Sequence, residues 1–113
     1  PAVAPDALAE AERVLAGAAD AVAHARPAAA DGAIAVRETA QAVALARFSV
    51  ALLAAGGVTA LTLAAAGELL DRLDALLVEQ RACWLLSARP GGLDDSIAKF
   101  APLRSALARR AAQ

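Results

Sequence analysis

Few residues in this chain could do chemistry, and most of those are gathered in one stretch. Cys83 and Trp84 are the single cysteine and the single tryptophan, and they precede Arg89-Pro90-Gly91-Gly92-Leu93 and the pair Asp94-Asp95. A thiol becomes a nucleophile when a base lies beside it. The lone histidine, His24, is far away in sequence, and nothing in the pattern brings the two together. A small buried apolar side chain is the simpler reading of Cys83. Trp84 and Arg89 offer a different chemistry. An indole supplies a flat, rigid contact face, and a guanidinium supplies a forked donor for a carboxylate. Together they could hold a sugar ring or a partner surface, or simply pack the turn, so they are the candidate binding or interface residues. Asp94-Asp95 could be an acid–base pair, but capping of a following helix explains them more simply.

Other chemistries are poorly supplied. One His and one Cys fall short of the ligand set of a zinc site and of the paired Glu-x-x-His motifs of a di-iron bundle. Gly91-Gly92 is too short for a phosphate loop and follows a helix rather than a strand. No catalytic residue, metal or cofactor is expected from this chain by itself. Asp20 and His24 read as a local pair near a helix end. Glu10 with Arg13, and Asp71 with Asp74, read as solvated helix surface.

The turn that carries Trp84 and Arg89 must be built by Pro90, Gly91, Gly92, Leu93 and Asp95. Proline disfavours the α conformation in the residue before it, so a helix should stop at Arg89. Glycine reaches positive φ without steric cost, and one of the two glycines is expected to do so. Leu93 then folds back on the end of the preceding helix, Asp94 or Asp95 caps the next one, and Arg89 meets the unpaired carbonyls left at the helix end.

Everything else is Ala, Leu and Val at helical spacing. The expected fold is an all-α, antiparallel bundle of three long helices plus a short, Pro-interrupted fourth, in one domain over residues 1–113. After a leader over 1–5, the periodicity predicts helices over about 6–25, 32–55, 58–88 and 94–111. Leu8, Ala11, Leu15, Ala18, Val22 and Ala25 form the seam of the first, with Pro5 suited to its first turn. In the second, Ile34, Val43, Val50 and Leu53 mark the apolar face, Arg37, Glu38, Gln41 and Arg47 mark polar positions, Asp31 is a candidate cap and Gly56-Gly57 closes the helix. Leu69, Leu73, Leu76 or Leu77, Gln80 and Trp84 follow one face of the third, and Glu68 and Arg72 are spaced for an i,i+4 pair on another. Ile97, Phe100 or Ala101, Leu103 and Leu107 are the core candidates of the fourth. Pro102 should break or kink it near Phe100.

Composition bounds the partners. The chain is 59% hydrophobic but 3% aromatic, so its apolar mass is mostly alanine, which lets helices approach closely while burying little area each. The net charge of −1 carries no basic patch of the kind nucleic acid attracts. Phe48 to Gly67 is free of charge and near the length of a bilayer span, yet Gly56-Gly57 sits at its middle. Two helix ends joined by a turn are expected there, and a membrane role is not. The opening Pro1-Ala2-Val3-Ala4-Pro5 lacks the basic and apolar regions of a signal peptide, and a cytoplasmic setting is favoured.

The run Trp84-Leu85-x-x-x-Arg89-Pro90-Gly91-Gly92-Leu93-x-Asp95-Ser96 resembles the C-terminal helical tail of bacterial glycoside hydrolase family 20 enzymes, the β-N-acetylhexosaminidases. Cys83 stands where that tail has Leu, and Leu86-Ser87-Ala88 where it has Ala-Arg-Asn. The resemblance implies an accessory domain, since the catalytic carboxylates of such enzymes lie in a β/α barrel that this chain lacks. The implied partner is a glycosidase catalytic barrel or a second copy of the chain. The alternative is a free-standing helical interaction protein with no carbohydrate role. A third, weaker reading is a small bundle enzyme using Arg89 and a carboxylate.

Overall fold

A computed structural model describes residues 3–86 and 92–113. Among them the chain forms five α-helices, α1 (Pro5–Ala23), α2 (Ala30–Ala54), α3 (Leu63–Leu86), α4 (Leu93–Ala98) and α5 (Ala101–Ala112), and no strand. The architecture is the expected all-α antiparallel bundle, with α4 and α5 as the two pieces of the interrupted fourth helix. α2 packs between α1 and α3, and α3 between α2 and α5.

Each long interface carries one arginine–carboxylate pair, and these pairs read out the antiparallel register. Arg47 of α2 donates through Nε (3.0 Å) and Nη2 to Glu12 of α1. Arg37 of α2 grips Glu79 of α3 at 2.6 and 2.7 Å. Arg104 of α5 grips Asp74 of α3 at 2.6 and 3.0 Å. Asp74 is therefore a cross-helix partner, a correction to its reading as plain solvated surface. Glu68 and Arg72 are not paired among the described residues; the Arg72 guanidinium lies over the Phe48 ring instead, 5.8 Å from its centroid.

Helix ends depart from the expected bounds for identifiable reasons. α1 stops at Ala23, two residues early; His24 Nδ1 reaches the Asp20 carbonyl (2.8 Å) and Arg26 donates to the carbonyls of Ala23 (3.3 Å) and Ala25 (2.8 Å). The Asp20 carbonyl also accepts the His24 N–H (3.2 Å), whereas the Ala23 carbonyl would face Pro27, which has no N–H, and takes the Arg26 donor instead. α2 starts at Ala30, so Asp31 lies in its first turn and is not its cap; there its charge still favours the helix dipole. Gly56 and Gly57 close α2 as expected, with φ of 90° and 91°. Their N–H groups return to the carbonyls of Leu53 (3.0 Å) and Leu52 (3.1 Å), which satisfies two of the last acceptors of the helix.

α3 does not begin at Val58. Val58–Ala60 is a short 3₁₀ turn, Leu61 is extended, and Thr62 Oγ1 accepts the N–H of Ala65 at 3.1 Å. That hydroxyl makes Thr62 the N-cap. Arg110 of α5 donates to the Leu61 carbonyl (2.8 Å) and ties this connector to α5. Pro102 sits in the first turn of α5, where a missing N–H costs nothing; the break falls at Lys99–Phe100, between α4 and α5.

The core lies between the C-terminal half of α2, the N-terminal half of α3 and α5. Phe48, Leu61, Ala66, Leu69, Leu73 and Leu107 are buried together, with Phe100 and Leu103 packed against them. Phe48 and Leu61 were not among the expected core residues. Ala66 is wholly buried; its single methyl lets neighbouring backbones come close. By contrast Leu8 is the one buried residue of α1, whose remaining seam positions are half-buried. No helix among the described residues is long and apolar enough to cross a membrane.

Candidate functional site

The N-terminal half of α2 meets the C-terminal half of α3 along a polar seam. Arg37, Gln41 and Phe48 follow one another at helical spacing on the α2 face that meets α3, so two polar side chains enter the interface ahead of the core. Gln41, read from the sequence as a polar position, is buried. It is held there by hydrogen bonds: Nε2 donates to the Leu76 carbonyl at 2.8 Å and to Gln80 Oε1 at 3.3 Å. A buried amide is tolerated only with such partners. Leu76 is a helical residue whose carbonyl accepts this additional bond through its second lone pair.

Beside Gln41 stands the pair Arg37–Glu79. The Arg37 guanidinium, chiefly through its hydrogen bonds, holds the Glu79 carboxyl below the usual carboxylate range. Glu79 in turn raises Arg37, again mainly by hydrogen bonding. Cys83 lies one turn beyond Glu79, buried, with Sγ 3.5 Å from Glu79 Oε2 and 4.0 Å from the Arg37 carbonyl. Burial, and after it the Glu79 carboxylate, push the Cys83 thiol up. It stays protonated and donates to Glu79, the opposite of a primed thiolate. Its contacts are with Arg37 and Glu79, not with His24, which pairs locally with Asp20 at 3.6 Å on the exposed end of α1. The reading of Cys83 as a buried small side chain holds.

Trp84 completes the seam. It lines a cavity of about 220 Å³ together with Glu38, Gln41, Leu45, Gln80 and Cys83. The residue is half-buried, and its Nε1 is shielded from solvent with no hydrogen-bond partner among the described residues. Gly92 lies over the indole: a Cβ placed on Gly92 would sit 3.7 Å from Trp84 Cζ2, in ordinary contact. Space is therefore available at Gly92. What demands glycine is its φ of +85°, the positive value expected at one of the two glycines. Leu93 follows and is buried, and α4 packs on α3.

Other parts of the expected corner differ or lie elsewhere. Neither Asp94 nor Asp95 caps α4. Gly92 occupies the cap position and both carboxylates fall in the first turn, where they favour the dipole without donating a cap. Asp94 also lies 3.7 Å from Arg81 of α3. Arg89, Pro90 and Gly91, and with them the expected contacts of Arg89 and the expected helix stop before Pro90, lie outside the described residues. Among the described residues no cluster of His, Cys, Asp and Glu is arranged to hold a metal ion.

The structure thus joins Trp84 to a set of residues that were not singled out as a site: Arg37, Gln41, Glu79 and Gln80. One signal was present in the sequence. Arg37 and Gln41 stand four apart within a run whose flanking positions, Ile34, Leu45 and Phe48, are apolar, and polar residues inside an apolar stripe are those that need partners. Comparison with family models, with curated proteins and with solved structures finds no match.

Proposed function

We propose that this chain is a non-catalytic helical accessory domain that docks through the outer face of α3 beside the Trp84 corner. The observation that carries the reading is the exposure of three large apolar side chains there. Val78 is 73% exposed, Leu85 54% and Leu86 44%. Val78 and Leu85 are two helical turns apart and share a face. The seam behind that face supports the same reading. Its cation, carboxylate and thiol are engaged with one another, which gives α3 a rigid backing and leaves these groups poorly placed to act on a substrate.

The resemblance of the Trp84–Ser96 run makes the catalytic barrel of a family 20 glycosidase the first partner to test, with a second copy of the chain as its rival. Purified chain is mixed with a family 20 barrel encoded in the same or an adjacent reading frame, and mass in solution is measured by light scattering with the wild type and Leu85→Asp. A barrel complex weakened by Leu85→Asp supports the accessory reading. A concentration-dependent dimer weakened by the same change supports a self-associating interaction module. A chain that stays monomeric and binds no barrel overturns both. The pure chain is expected to leave a chromogenic N-acetylglucosaminide intact; turnover abolished by a single carboxylate substitution would overturn the non-catalytic part.

A further inference from the structure

Toward the other end of α2 from the seam, the first turns of α1, the C-terminal half of α2 and Arg72 of α3 line an open trough of about 590 Å³. This is the size range of small-molecule sites. Because α1 and α2 run antiparallel, its two ends differ. Pro5, Leu8, Val50, Leu53 and Ala54 line the apolar length, and Glu12, Arg47 and Arg72 line it where the chain turns polar. From Arg47 to Ala54 the helix rises roughly 10 Å, the scale of a medium-length alkyl chain. Val3 and Leu53 at the rim are 46% and 53% exposed, apolar surface that a bound tail would cover.

The charges at the polar end do not cancel. Glu12 is hydrogen-bonded to Arg47 and also feels the more distant Arg72, so one carboxylate faces two guanidiniums and a net positive charge remains. Among the described residues Arg72 has no carboxylate within ion-pair distance; its contact is the Phe48 ring. A cation over a ring face keeps its N–H donors available to a further acceptor. A forked donor beside an apolar trough matches a carboxylate joined to an alkyl tail. A cationic head would be repelled and an uncharged one would gain no ion pair.

We propose that this trough binds a free single-chain carboxylate amphiphile, its head on Arg72 and its tail along Leu8, Val50, Leu53 and Ala54. The site is independent of the docking face on α3, so either reading can fail without the other.

The test is calorimetric titration of the whole chain with octanoate, decanoate and decyltrimethylammonium, each kept below its micelle concentration. Each methylene buried along the trough should tighten binding about fourfold, so decanoate should bind about 15-fold more tightly than octanoate. Decyltrimethylammonium should bind far more weakly than decanoate. Arg72→Gln should weaken decanoate about tenfold or more, and Leu53→Asp should remove the gain from chain length. Both positions are exposed, and melting curves of the two variants establish that each is folded. Should Arg72→Gln not fold, Leu53→Asp and the cationic amphiphile decide. Equal affinity for the cationic amphiphile, no chain-length dependence, or a folded Arg72→Gln variant with unchanged affinity would overturn the proposal. So would binding to anionic phospholipid vesicles with no response to decanoate.

Discussion

The two ends of the α2–α3 interface are held by different physics. Near the Gly56-Gly57 turn the contact is dry. Phe48, Leu69 and Leu73 pack with Leu107 of α5, and Phe48, Leu73 and Leu107 are the largest side chains that are fully buried. Near Trp84 the contact is polar, made by Gln41, Gln80, Arg37, Glu79 and a protonated Cys83. Hydrophobic burial is strong but has little direction. Hydrogen-bonded amides and a forked ion pair contribute less net stability but accept few geometries. The dry end supplies most of the free energy, and the polar end selects the register in which it is collected.

The comparison is broken most forcefully at the dry end. Phe48→Ala should cost about 3–5 kcal/mol by creating a cavity that neighbours on three helices cannot close. That is a large share of a typical domain's stability. Chemical denaturation of wild type and variant checks it; a loss of under about 1 kcal/mol would mean that Phe48 is not the centre of the core.

At the polar end the effect should be smaller and should depend on what replaces the amide. Gln41→Ala should cost about 1–3 kcal/mol, because it leaves Gln80 Oε1 without its donor and opens a void. Gln41→Leu fills the volume and should recover part of that loss. If both variants unfold at the same denaturant concentration, the hydrogen bonds of Gln41 carry no weight and only its volume matters.

Gly92→Val tests the corner that seats Trp84. With φ at +85° a β-branched residue is strained, and a penalty of about 1–3 kcal/mol is expected. The near-ultraviolet signal of the single tryptophan should change with it. A Val variant with unaltered melting and an unaltered Trp84 spectrum would show that the corner does not depend on this backbone angle.

The smallest effect is the dependence on pH. The carboxyls of Glu79, Asp74 and Glu12 are each held below their ordinary range, first by hydrogen bonds from Arg37, Arg104 and Arg47 respectively. A carboxyl lowered in the folded state stabilises it fully above the unfolded value, about 4, and the contribution disappears as pH falls through the lowered folded value. Melting temperature should therefore be flat from pH 5 to 7 as far as these groups are concerned, and should decline in acid below about pH 4. The exposure of all three pairs keeps the change small. Glu79→Gln should make the acid decline shallower; an identical profile would remove the Arg37 pair from the account of the polar end.

Much of the fold was legible in the sequence because it rests on local chemistry. The 3.6-residue spacing of apolar positions, Gly56-Gly57 after α2, Pro5 opening α1 and Pro102 dividing the last helix act within a turn or two of themselves, and each acted as its residue type requires. The seam of α1 from Leu8 to Val22 was legible for the same reason. The misplaced ends also have local causes, but ones with close competitors. The Thr62 hydroxyl displaced a start at Val58, and Arg26 serves the Ala23 carbonyl, for which Pro27 has no N–H.

What the sequence could not determine is which faces meet. Gln41 and Asp74 have the composition of surface residues, and they become interface residues only when Gln80 and Arg104 arrive from other helices. Phe48 becomes the centre of the core only because α5 closes over it, bringing Leu107 from the far end of the chain. Trp84 was marked by its rarity, but its neighbours Gln41 and Gln80 were not, since their meeting depends on the relative register of α2 and α3. A helix is encoded by neighbours in sequence and forms the same way in many contexts. A register is a choice among near-equal slides of alanine-rich faces, and here it is the tertiary pairs Arg47–Glu12, Arg37–Glu79 and Arg104–Asp74, one at each long interface, that make one slide better than the rest.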